Sequence, residues 1–113
     1  MYYILDGKQP VHVTDVERWA VWFAAPENRR VAQTAVGPVT ISTVFLGIDH
    51  NFSRSGAPVL FETMVFGGPL DGAQQRYRTF DEAAVGHEDM VRQVRDEPTS
   101  DIELDFIDPL PVR

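Results

Sequence analysis

Asp49-His50-Asn51 places a carboxylate, an imidazole and an amide in consecutive positions. An aspartate beside a histidine can orient the ring, which makes His50 a candidate general base or metal ligand. Glu62 and His87 would complete a His/Glu/Asp set for a hard or borderline metal, as in a small metal-dependent hydrolase or metal-binding protein. The spacing matches no signature such as HExxH, however. The plainer reading is a loop in which Asp49 and Asn51 make Asx turns and His50 is incidental. That reading is preferred, so no catalytic residue, metal ligand or cofactor is assigned.

Other chemistries find less support. Gly67-Gly68-Pro69-Leu70-Asp71-Gly72 lacks the Lys-Ser/Thr of a phosphate loop and reads as turn chemistry. Ser53 and Ser55 stand in no nucleophile elbow. The absence of cysteine excludes disulfides, thiolate metal sites and cysteine nucleophiles, and suits a reducing cytoplasm. His87 falls on an apolar helical stripe, so it is expected as a core histidine bonded to a backbone carbonyl or to Glu62. Glu62 is expected on a wet sheet face or, if buried, paired with Arg76, Arg78 or His87.

Charge says more than any motif. The chain has 113 residues and a net charge of −7. Acids and bases cancel over residues 1–80, whereas residues 81–108 hold ten acids against Arg92 and Arg95. Such a balance disfavours direct binding to nucleic acid or anionic lipid and favours a basic protein partner, including a nucleic-acid-binding surface that the acids would occlude. Within this region Asp101-Ile102-Glu103-Leu104-Asp105-Phe106 alternates acid and apolar. As a strand it would put Asp101, Glu103 and Asp105 on one side and Ile102, Leu104 and Phe106 on the other. These six residues and Trp22, at the margin of a helical stripe, are the candidate partner-binding set. A homodimer formed through the tail strand or Trp22 is the structural alternative.

The elements that position these groups can be read from periodicity. Tyr2–Leu5 and Val11–Val13 are β-prone and joined through Asp6-Gly7. Thr14 with Glu17 predicts a capping box opening a helix over Asp15–Ala25, with Val16, Trp19, Ala20 and Phe23 as its apolar stripe. Pro26 and Asn28 mark its end. Val31–Val36, Val39–Leu46, Val59–Phe66 and Gln74–Arg78 read as strands, with Gly47–Pro58 the long loop carrying Asp49 and His50. Thr79 with Glu82 caps a second helix whose stripe is Phe80, Ala84, His87, Val91 and Val94. Pro98 stops it. The expectation is one α+β domain, with an antiparallel sheet of about five to seven strands, two helices on one face, a body over 1–95 and an acidic strand or arm over 96–113. No secretory signal or membrane span is read from the sequence.

Ser42-Thr43-Val44-Phe45-Leu46-Gly47-Ile48-Asp49-His50-Asn51-Phe52, Leu60–Gly68, Tyr77–Ala83 and Gly86–Val91 resemble a family of short uncharacterised proteins encoded by bacteriophages and prophages. The resemblance spans residues 1–95 and leaves out the acidic tail. The family has no assigned activity, so it implies no site residue. It implies a phage setting and a bacterial cytoplasm, where small acidic proteins often inhibit host or defence machinery, anti-CRISPR proteins among them.

Overall fold

The computed structural model describes residues 1–53 and 55–97. Strands β1 (Tyr2–Asp6) and β2 (Gln9–Val13) pair antiparallel, with Asp6 opposite Gln9. Gly7 takes φ +62° in the turn between them, a conformation open to glycine because it has no Cβ. Helices α1 (Val16–Ala24) and α2 (Pro26–Arg29) follow, then β3 (Arg30–Val36), β4 (Val39–Phe45), β5 (Phe61–Phe66), β6 (Gln74–Tyr77) and α3 (Phe80–Asp96). Strands β3 to β6 form an antiparallel sheet in sequence order.

The α+β class is as expected, but one continuous sheet is not what forms. Among the described residues six strands divide into a two-stranded and a four-stranded sheet. The two are tied by the Tyr2–Ile48 bridge and by the Tyr3 N–H donating to the Gly47 carbonyl at 2.8 Å. Gly47 turns the chain out of β4 with φ +73°, so the ladder ends there. Pro10 also denies β2 a donor for a further neighbour.

The helices do not share one face either. α3 packs on β3 to β6, whereas α1 packs on β1. Val16 and Ala20 of the expected α1 stripe are exposed; Trp19, Trp22 and Phe23 are half-buried. The helix is held by these aromatic rings. The Trp19 indole N–H is shared between the carbonyls of Tyr3 (3.1 Å) and Gly47 (3.2 Å), and Trp19 stacks on Phe23 at 4.7 Å. Asp15, not Thr14, is its N-cap: the Asp15 carboxylate accepts the Arg18 N–H at 3.1 Å. Pro26 ends α1 by opening the separate turn α2, where its missing N–H costs nothing.

Alternation divides the four-stranded sheet into two faces. On the first, Val39, Ile41 and Val65 pack against Met90, Val91 and Val94 of α3. Further along, Phe45, Phe61 and Leu60 pack with Ala83, joined by Trp22, Phe80 and Tyr3. Burying such side chains supplies about 1.5–3 kcal/mol each, which is what seats α3. The second face carries Thr40, Ser42 and Val44, opposite Phe66, Met64 and Glu62 of β5.

Candidate functional site

The Asp49-His50-Asn51 loop is built from its own hydrogen bonds. Asp49 Oδ1 accepts the N–H groups of Asn51 (2.7 Å) and Val59 (2.9 Å). The Asn51 amide donates to the carbonyls of Ser55 (3.0 Å) and Ala57 (2.9 Å), and its Oδ1 accepts from the Ser53 N–H and hydroxyl. His50 Nδ1 lies 2.8 Å from the Ile48 carbonyl, and the ring sits beside exposed Phe52. Both acceptor and amide are thus committed to closing the loop, as Asx chemistry does.

Glu62 and His87 lie on opposite faces of the sheet. Glu62 is paired across the ladder with Val44 on the second face, where it is buried at 6 % exposure rather than wet, and Arg76 Nε donates to it at 3.1 Å. His87 enters the first face from α3. Among the described residues no three His, Asp or Glu side chains gather as metal ligands. The set Asp49, His50, Glu62 and His87 is therefore not brought together.

His87 is bonded neither to a backbone carbonyl nor to Glu62. It is 1 % exposed, with Nδ1 2.7 Å from the Thr43 hydroxyl and Nε2 2.8 Å from that of Thr34. Thr43 Oγ1 lies 2.5 Å from Thr63 Oγ1, and the Tyr77 hydroxyl donates to Thr63 at 3.2 Å. Counting hydrogens gives this row one fully used order. Tyr77 donates to Thr63; with Thr63 then donating to Thr43, Thr43 to Nδ1 and Nε2–H to Thr34, each hydroxyl on the route from Tyr77 uses its hydrogen. The relay joins α3 to all four strands of the sheet. Burial lowers the His87 pKa, with adjacent Glu88 opposing, so the ring is neutral at pH 7. Burial raises the Tyr77 pKa; Asp89 adds to the rise and the Thr63 bond opposes it.

Tyr77 also forms the floor of a surface depression. An open basin of about 450 Å³ is lined by Tyr77, Asp81, Glu82, Val85, Gly86 and Asp89. Gly86 makes it possible, because a Cβ there would overlap the Tyr77 ring and hydroxyl. Val85 is 64 % exposed at its rim. The basin opens on the acidic side of α3, where Asp81, Glu82, Glu88, Asp96 and Glu97 are exposed and Asp89 is half-buried. Glu82 accepts from the Thr79 N–H and hydroxyl as part of the cap, and Asp89 pairs with Arg92. A second cleft, of about 460 Å³, lies between the hairpin turn and the start of α3. It mixes Lys8 and Arg78 with Asp81, and Arg78 Nε is engaged by the Ala57 carbonyl at 3.1 Å.

Sequence reasoning placed the acids of α3 but missed Tyr77 and the threonines. The signal was a histidine on an apolar stripe facing strands with inward Thr residues, since a buried imidazole needs partners. Trp22, expected at a margin, is half-buried against the edge of Phe45 at 5.7 Å. Asp101, Ile102, Glu103, Leu104, Asp105 and Phe106 lie outside the described residues. Searches with this chain matched no family model, no curated protein and no solved structure.

Proposed function

We propose that this chain is a non-enzymatic binding protein that engages a basic protein partner through the acidic side of α3. In the phage setting implied by the resemblance, it would act as an inhibitor or modulator of a host or defence protein. One observation supports this most. Asp81, Glu82 and Asp89 line an apolar basin, Glu88 and Asp96 are exposed further along α3, and among the described residues Asp89–Arg92 is the one ion pair within the set. A lysine or arginine entering the basin would meet the Tyr77 ring, a cation–π partner, with Asp81 and Asp89 at the rim. The acids at 101, 103 and 105 extend the same sign along the chain. Opposed charge of this kind raises association rates and selects cationic surfaces.

The test uses a partner captured from bacterial lysate and then purified. Asp81→Lys, Glu88→Lys and Asp96→Lys together avoid the cap and the Arg92 pair, so folding should persist by circular dichroism. Binding should fall at least about tenfold, and wild-type affinity should drop steeply with salt. Salt-independent binding, or a charge-reversed protein that binds as wild type does, would refute the mechanism.

A further inference from the structure

The chain's one lysine rests over an aromatic ring. Lys8, in the turn between β1 and β2, holds Nζ 5.5 Å from the ring centroid of Phe80, the first residue of α3. Both line the cleft of about 460 Å³ between the hairpin turn and α3, a volume within the range of small-molecule sites. Arg78, just past β6, is the second cation of this cleft. Its Nε donates to the Ala57 carbonyl at 3.1 Å, and its Nη2 lies 3.3 Å from where a Cβ on Gly56 would stand. The guanidinium is therefore laid along the loop. Both cations are oriented by neutral groups, a ring and a carbonyl. Among the described residues neither is within ion-pair distance of a carboxylate, although Asp81 lines the same cleft. Two cations against one acid leave the cleft positive on a chain whose net charge is −7.

The walls are apolar. Leu60 is buried, and Tyr3, Pro10, Pro58 and Phe80 are half-buried. Such a cleft suits a ligand with a flat apolar body and an oxyanion at the cationic rim. An arginine fork and a lysine point charge both recognise phosphate, and a phosphate monoester carries about two negative charges at pH 7, one for each cation. We infer that this cleft binds a small aryl or nucleoside monophosphate, its phosphate met by Lys8 and Arg78 and its ring packed against Tyr3 and Phe80. The ligand is opposite in charge to the basic partner of α3, yet Asp81 borders both this cleft and the basin beside Tyr77. Neutralising Asp81 must then act in opposite directions at the two places.

Phenyl phosphate and adenosine monophosphate, titrated into isotope-labelled full-length protein, are the probes. At least one should give saturable amide shifts at Tyr3, Lys8, Leu60 and Phe80 with a Kd below about 10 mM. The tighter of the two tells a nucleotide from a simple aryl ester. It should bind at least about fivefold more tightly than inorganic phosphate, which lacks the ring, and than benzyl alcohol, which lacks the charge. Lys8→Gln and Arg78→Gln should each weaken binding about fivefold, whereas Asp81→Asn should tighten it about twofold, the reverse of its effect on a basic partner. No saturable shifts, shifts confined to residues outside the cleft, or inorganic phosphate bound as tightly as either ester would overturn the proposal. So would wild-type binding by both Lys8→Gln and Arg78→Gln. If Arg78→Gln loses the native spectrum, Lys8→Gln, an exposed change in a turn, decides alone.

Discussion

Replacing Thr43 by Val probes the relay that joins α3 to the sheet. Thr43 is fully buried and stands at the middle of the row, 2.7 Å from His87 Nδ1 and 2.5 Å from Thr63 Oγ1. Valine keeps the shape but strands an imidazole nitrogen that has no route to water and a Thr63 hydrogen that loses its acceptor. Each stranded group costs about 1–3 kcal/mol. The added methyl returns about 0.8 kcal/mol of burial. The net loss is therefore about 1–5 kcal/mol, and at about 4 °C per kcal/mol the thermal midpoint should drop by roughly 5–20 °C. Thr43→Val with His87→Leu should cost less than the two changes summed, by about 1–2 kcal/mol, because removing both partners leaves less polarity unmatched. Thermal and urea unfolding at pH 8 measure all four corners of the cycle. A Thr43→Val protein within about 0.5 kcal/mol of wild type, or strictly additive changes, would show that the hydroxyl row is ornamental.

Three further outcomes follow from the same geometry. The His87 pKa is lowered in the fold, so the unfolded chain binds this proton more readily; its contribution is whole above about pH 6.5 and is lost as pH falls below that, until the lowered native pKa is passed. Comparing wild type and His87→Leu across pH 5–8 should show a weaker slope in the variant. Gly86→Ala would gain about 1 kcal/mol of helix propensity but drive Tyr77 off Thr63, an overpacking cost of about 1–3 kcal/mol, so net destabilisation and increased exposure of Tyr77 by fluorescence are expected. Asp49→Ala removes the acceptor of two backbone N–H groups and should cost about 1–2 kcal/mol, with faster hydrogen exchange at Asn51 and Val59, whereas His50→Ala should stay within about 0.5 kcal/mol.

What the sequence could say depended on how local the determinant was. The Thr79–Glu82 capping box is present as read, because both partners lie within one turn. The turn at Gly37 and the Asx character of Asp49 and Asn51 are local in the same sense. At α1, two adjacent capping residues competed, and the docking of Trp19 onto Tyr3 and Gly47 accompanies a start at Asp15 rather than Thr14. The strands were found from alternation, but alternation is silent about which strand pairs with which, so the division into two sheets was hidden. His87 illustrates the limit best. Its stripe predicted burial, whereas its partners Thr34 and Thr43 lie 53 and 44 residues away and meet it only through strand register. The acidic side of α3 was visible as composition; the basin beneath it depends on the absence of a side chain at Gly86.

The order β3-β4-β5-β6 means that every strand of the larger sheet pairs with its neighbour in the chain. Such a meander has short-range contacts, and topologies of this kind reach the native state quickly because little chain entropy is lost before each pairing is rewarded. During synthesis each hairpin can close as it leaves the ribosome. The widest gap, between β4 and β5, is bridged by a loop that Asp49 and Asn51 tie together from within. In that order few apolar strand edges wait long for a mate, which limits the time that aggregation-prone surface is exposed.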